Sequence, residues 1–162
     1  MTTRTPSETI ADQPANDRVL LLERYWPYQL MVLADRISRH TAALAREHGG
    51  LNLSQWRVMA AIAETPGRTA VDVVTITPMD KGIVSRATKA LLEAGLLIRE
   101  ASQDDGRVSH LYLTEKGEAL YQELRPRIEA VPAAAGGALA VEEQAQLRDM
   151  LDRLISGVPD AR

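Results

Sequence analysis

Residues 69–114 read TAVDVVTITPMDKGIVSRATKALLEAGLLIREASQDDGRVSHLYLT, and the order of signals in this stretch decides the fold. Thr69 with Asp72 three residues on resembles a capping box and opens a short helix that Pro78 ends. Asp80 is placed to cap a second helix, with Met79 and Val84 at hydrophobic-staple spacing. Gly95 supplies the left-handed residue that stops it. Leu97–Ala101 and Arg107–Leu113 read as strands, and Asp105-Gly106 between them is a hairpin signal. Helix, turn, helix, hairpin is the order of a winged helix-turn-helix.

The flanks are helical. Upstream, residues 18–48 carry Leu22, Trp26, Leu33, Ile37 and Leu44 at roughly helical spacing. Pro27 belongs near the start or at a kink because it lacks an N–H, and Gly49-Gly50 is a stop. Ser54 is expected to cap the next helix, to about Glu64, with Leu53 and Val58 in the staple positions and Trp56, Met59, Ala60 and Ile62 on its apolar face. Residues 65–68 form a turn by composition. Downstream, Thr114 caps a long helix over 114–131, bent near Pro126. The alanine-glycine run at 133–137 is expected to separate it from a last helix, about 141–156, with an apolar stripe of Leu147, Met150, Leu151 and Leu154. Residues 1–17 are polar, contain Pro6 and Pro14, and are expected to be a disordered tail. The fold class that follows is mainly α with a small β-hairpin. One domain spans 18–157, its winged helix-turn-helix at about 52–113 between long terminal helices at 18–48 and 114–157.

With 162 residues and 45% hydrophobic content, one sizeable core is expected. The absence of cysteine excludes a disulfide framework, thiolate zinc sites and thiol redox sensing. The N-terminus has no apolar signal-peptide core, and the longest uncharged run, 130–141, is too short to span a bilayer. No membrane association and a cytoplasmic location are therefore expected. The net charge is −3, and residues 69–114 hold five basic and six acidic side chains, so bulk charge does not announce a nucleic-acid partner. Arrangement has to carry that argument.

On the helix after Asp80, Val84, Ala87, Leu91 and Ala94 form an inward stripe. Gly82, Ser85, Arg86 and Lys89 form a polar stripe opposite. Three basic residues and no acidic one lie between Lys81 and Leu92. Such a face suits phosphates and base edges in a major groove; a merely solvated amphipathic helix is the alternative. In the hairpin, Asp105 and Arg107 stand two apart and project to one side of an extended chain. A carboxylate there can hold a guanidinium ready for a minor groove, or form only a surface ion pair.

Leu-Ser-Gln-Trp-Arg-Val-Met (53–59), Met-Asp-Lys-Gly-x-Val-Ser-Arg (79–86), Gly-Leu-Leu-x-Arg (95–99), Asp-Asp-Gly-Arg (104–107) and Leu-Thr-Glu-Lys-Gly (113–117) together resemble the MarR family of bacterial regulators. The likeness spans about residues 20–157, with the motifs in family order and spacing. It implies a homodimeric winged helix-turn-helix regulator, a repressor more often than an activator, bound to double-stranded palindromic DNA, with the first and last helices interlocking two chains. The recognition helix would be residues 81–93 and the wing arginine Arg107, held by Asp105. The DNA-facing set is then Thr69, Lys81, Gly82, Ser85, Arg86, Lys89, Gln103, Asp105 and Arg107. Family members commonly bind small phenolic or aromatic-acid effectors that lower operator affinity. Three departures stand out: Ile83 where many members have Thr, Gly106 in place of a common basic residue, and Ala140 where Ser often caps the last helix. Lacking cysteine, the chain falls outside the thiol-based peroxide sensors.

No metal, cofactor or catalytic site is expected. His40, His48 and His110 lack ligand spacing, no nucleophile–base pair is evident, and the chain does not read as an enzyme. Candidate effector-binding residues are Tyr25, Trp26, Tyr28, His40, Trp56 and Arg57, with Arg57 or His40 facing a carboxylate; core or dimer packing is the competing role for each. The alternative function is a dimeric protein-interaction module that keeps the fold without binding DNA.

Overall fold

The structure, a computed structural model, describes residues 20–102 and 108–159. A 3-10 turn, Leu22–Arg24, precedes α1 (Trp26–Gly49), α2 (Leu53–Glu64), α3 (Ala70–Ile76) and α4 (Lys81–Glu93). Strands β1 (Leu97–Ala101) and β2 (Ser109–Leu113) follow, then α5 (Glu115–Gly136) and α6 (Val141–Gly157). The mainly helical fold with one antiparallel hairpin matches the sequence expectation. The chain divides into two compact units, Met1–Arg36 and Ile37–Arg162. Among the described residues no helix is long and apolar enough to cross a membrane.

In the first unit, α1 starts at Trp26 and not near residue 18 as expected. Pro27 explains the boundary, since a proline is tolerated in the first turn, where its missing N–H costs no helical bond. Leu20, Leu21, Leu22, Trp26 and Met31 are all exposed.

The second unit holds the core. Met59 and Ile62 of α2, Val73 of α3, Val84 and Leu91 of α4, Leu111 of β2 and Leu124 of α5 are fully buried in one cluster. Two expected boundaries move. The α2 cap is Asn52, not Ser54: Asn52 Oδ1 accepts from Gln55 N at 2.9 Å, and Gln55 Oε1 accepts from Asn52 N at 2.8 Å. An Asn two residues earlier forms the reciprocal box, which shifts the staple positions to buried Leu51 and Trp56. The fifth helix does not stop before the alanine run; it continues to Gly136 with Pro126 and Pro132 inside it. Three consecutive alanines are the best helix formers available, and they carry the helix past the prolines.

The hairpin pairs Leu97 with Leu113 and Ala101 with Ser109. Among the described residues β2 runs Ser109–Leu113, and Arg107, where the strand was expected to start, lies outside them. The α2–α3 turn reaches β2 as well: Gly67 N donates to Leu111 O at 2.9 Å, and Leu111 N donates to Arg68 O at 3.0 Å. Gly67 sits at φ 88° against the Tyr112 ring, a conformation and an approach that suit a residue without Cβ.

The root of the hairpin is gripped by the start of α5. Thr114 N donates to Leu96 O (3.1 Å), Thr114 Oγ1 to Gly95 O (2.7 Å) and Lys116 Nζ to Ala94 O (3.0 Å). Three consecutive carbonyls at the end of α4 are thereby satisfied from one short segment. Thr114 Oγ1 also accepts from Gly117 N at 3.0 Å, so one side chain both caps α5 and ties it to α4.

Candidate nucleic-acid interface

The helix that carries the basic stripe is built from both ends. Asp80 Oδ1 accepts from Ile83 N at 2.7 Å, and Met79 and Val84, both buried, close the staple. Gly95, at φ 67°, ends α4. Val84, Ala87 and Leu91 are buried as expected, but Ala94 is exposed: it is the C-cap residue, where the chain already leaves the helix.

With that face buried, Lys81, Ser85, Arg86 and Lys89 are exposed together on the other side, and Gly82 is half-buried. Lys89 Nζ lies 3.7 Å from Glu93 Oε1, an exposed pair one turn apart that adds little rigidity. Gly82 leaves room at the helix start. A Cβ there would stand 3.2 Å from Asp80 Oδ1 and 3.3 Å from a guanidinium nitrogen of Arg86, so Arg86 lies back over the first turn. The first turn of α4 contains no acidic residue. Cations at this end oppose the helix dipole instead of complementing it. Lys81 and Arg86 therefore place positive charge at this end, part of which the capping Asp80 carboxylate offsets.

Thr69 stands elsewhere, at the start of α3. Its hydroxyl donates to Asp72 Oδ2 (2.8 Å) and accepts from Asp72 N (3.2 Å), while Thr69 N donates to the same Oδ2 (2.7 Å). Chiefly the Thr69 backbone N–H, then its hydroxyl, hold the Asp72 carboxyl below its ordinary value, with smaller help from Arg68 and His110. The capping box read from the sequence is present, and it occupies the hydroxyl proposed for DNA. His110 Nδ1 lies 2.7 Å from Gly67 O; a carbonyl can only accept, so that nitrogen carries the proton. Gln103, Asp105 and Arg107 lie outside the described residues, and with them the expected wing clamp.

The candidate effector residues fall into both units. Tyr25, Trp26 and Tyr28 are exposed in the first. In the second, His40 is exposed, Trp56 is buried and stacked on Tyr121 with centroids 5.6 Å apart, and Arg57 donates to Ser38 Oγ at 3.2 Å. Trp56 is thus a core residue.

Beside α4 lies a feature that the sequence reading did not anticipate. A cavity of about 370 Å³ opens between α3, α4 and β1, bordered by Val71, Val74, Lys81, Ser85, Thr88 and Arg99. Its sequence signal is Thr88, a hydroxyl within the inward stripe between Val84 and Leu91.

A profile of the MarR family matches residues 49–108, from the end of α1 into the hairpin. The transcriptional regulator HosA of Escherichia coli O157:H7 is 30% identical over 112 residues, covering 69% of this chain and 83% of HosA. A MarR-family transcriptional regulator from Silicibacter pomeroyi superposes with a TM-score of 0.77 at 23% identity, covering 85% of this chain and 92% of its own. BpsR of Bordetella bronchiseptica, whose structure concerns regulation of its DNA binding by 6-hydroxynicotinic acid, superposes with a TM-score of 0.63 at 25% identity, covering 78% of this chain and 98% of BpsR. Identity to HosA along most of that protein, on a winged helix-turn-helix shared with these structures, makes this chain a member of the MarR family of transcriptional regulators.

Proposed function

We propose that the chain is a homodimeric repressor that binds a palindromic operator through α4 and is released by a small aromatic or phenolic acid. The observation that carries the DNA reading is the segregation of charge on α4: Lys81, Ser85, Arg86 and Lys89 are exposed on one side while Val84, Ala87 and Leu91 are buried on the other. In a dimer the two recognition helices would enter successive major grooves, about 34 Å apart. Arg107, with Asp105 and Gln103, is proposed to reach the flanking minor groove.

Support for the dimer comes from α6. None of its 17 residues is buried among the described residues, and Val141, Met150 and Ile155 are each about half exposed or more. Tertiary packing of an apolar face supplies most helical stability in proteins, and among the described residues nothing buries this one. The effector half rests on the likeness to BpsR, with Arg57 and His40 offered as partners of a carboxylate.

The test is fluorescence anisotropy with DNA from upstream of the chain's own gene. Arg86→Ala is expected to cost roughly 1–3 kcal/mol of binding, as loss of a base-edge contact does, with the circular dichroism melt unchanged. Operator affinity unaltered by Arg86→Ala and by Lys89→Ala together would sink the α4 reading and favour a protein-interaction module. Thermal shift against aromatic acids, 6-hydroxynicotinic acid first, tests the effector; a flat response removes it.

A further inference from the structure

We propose that Lys89 is a site of acyl transfer, at which an acyl phosphate converts the ammonium into a neutral amide and removes one cation from the outward face of α4. The effect on DNA rests on the α4 reading above; the chemistry at Lys89 does not.

The first observation is where lysine occurs. Of the nineteen Lys and Arg residues in the chain, only Lys81, Lys89 and Lys116 are lysines. All three attach to one helix: Lys81 opens α4, Lys89 lies within it, and Lys116 Nζ donates to the carbonyl of Ala94, the α4 C-cap, at 3.0 Å. Everywhere else the positive charge is arginine, which keeps its proton and so offers no nucleophile to an acyl donor. The α-amino group apart, a reagent that acylates amines therefore finds targets at α4 and nowhere else in the sequence.

The three lysines differ in their surroundings. Lys116 Nζ is committed to Ala94 O. Lys81 is exposed, but the carboxylate beside it, Asp80, is engaged with Ile83 N at 2.7 Å. Lys89 has a side chain 78% exposed, and its Nζ lies 3.7 Å from Oε1 of Glu93, one turn on and also exposed. Glu93 is placed to take the ammonium proton, which leaves a lone pair on Nζ. One turn before Lys89 stand exposed Ser85 and Arg86, so the phosphate of an anionic donor meets a cation on the side away from the base. The step then balances without oxidation or reduction. Nζ forms a bond to the acyl carbon, the bond from that carbon to the phosphate oxygen breaks, phosphate leaves with the electron pair, and the second amine proton passes to water. The amide is neutral, so the stripe loses a charge and Glu93 loses its partner.

Acetyl phosphate incubated with the full chain, followed by peptide mass mapping, tests the site without DNA. Lys89 is expected to be acetylated at least fivefold faster than Lys81 or Lys116. Glu93→Gln, which removes the base, should slow Lys89 to the rate of Lys81. Lys89 modified no faster than the other two lysines, or equally fast in Glu93→Gln, overturns the site. Anisotropy then reads the consequence. Loss of one phosphate contact at about 0.1 M salt should weaken operator binding roughly tenfold for each modified chain, and Lys89→Gln should reproduce the loss. Lys89→Arg, compared with itself before and after an exposure that modifies Lys89 in the wild type, should not change. Operator affinity unaltered by acetylation at Lys89 overturns the switch. If the untreated protein binds no operator, the α4 reading has failed, and the mass map alone decides the acylation site.

Discussion

Gly117 separates two opposed contributions to stability, and its replacement by alanine shows which is larger. It occupies the third position of α5, where alanine would improve helix propensity by about 0.5–1 kcal/mol. A Cβ at this position would overlap the carbonyl oxygen of Leu96 and stand 3.3 Å from a Leu113 methyl. The oxygen cannot simply move aside, because it accepts from Thr114 N, and its neighbours Gly95 and Ala94 accept from Thr114 and Lys116. Overpacking against rigid groups costs about 1–3 kcal/mol, and a backbone carbonyl belongs at the upper end. The difference is a net loss of about 2 kcal/mol, or a melting temperature about 4–8 °C lower for a chain of this size. Gly136→Ala is the control: it lies in the same helix with nothing within 4 Å of the built Cβ, and should gain about 0.5–1 kcal/mol. Urea denaturation of both variants measures the two signs. A Gly117→Ala protein as stable as the wild type would refute the close approach of α5 to the hairpin root, and with it the account of the Leu-Thr-Glu-Lys-Gly motif as a clamp.

Other consequences can be measured on the same protein. The Asp72 carboxylate is held below its ordinary value of 3.8, so its contribution is present above that pH and fades as pH falls toward the lowered folded value. Asp72→Asn should therefore cost about 1 kcal/mol at pH 6 and progressively less below pH ~3.8; a gap that stays constant on acidification contradicts the cap. If α6 is covered by a second chain, the melting temperature should rise with protein concentration, and a midpoint independent of concentration argues for a folded monomer. With few exposed cations on α4, operator affinity should fall with salt at a modest slope, and Lys89→Ala should lower that slope by about 1.

How much of the molecule is legible in its sequence varies with the range of the interaction. Caps are local: Thr69 with Asp72 and Asp80 with Met79 and Val84 can be read because each partner lies within four residues. Asn52 is harder, because Asn and Ser are both good caps, and the reciprocal bond from Gln55 that decides between them depends on the reach of its side chain. The run of α5 through 133–136 misleads because two prolines and two glycines outweigh three alanines on composition, while the folded chain extends the helix to Gly136. The grip of Thr114 and Lys116 on carbonyls 94–96 spans about twenty residues of sequence, beyond any local rule. The motif can be recognised there, though its purpose cannot. The polar stripe of α4 is fully legible, since burial of Val84, Ala87 and Leu91 leaves Ser85, Arg86 and Lys89 one orientation. The environment of Thr88 is not, because the lack of a hydrogen-bond partner for its buried hydroxyl among the described residues is a property of the folded chain.

The net charge of −3 and the basic face of α4 are parts of one arrangement. Acidic residues near α4 are placed where they serve the fold: Asp80 at its cap, Asp72 in the α3 box, Glu93 in its last turn. Each carboxylate is engaged with a backbone donor or a neighbouring lysine, and none stands on the outward stripe between Lys81 and Lys89. A protein repelled on average by a polyanion but carrying one helix face of opposite sign loses non-specific attraction and keeps the contacts made only when that face is seated. On this account, discrimination between operator and bulk DNA would come from the distribution of charge, and adding cations elsewhere on the surface would raise non-specific affinity more than operator affinity.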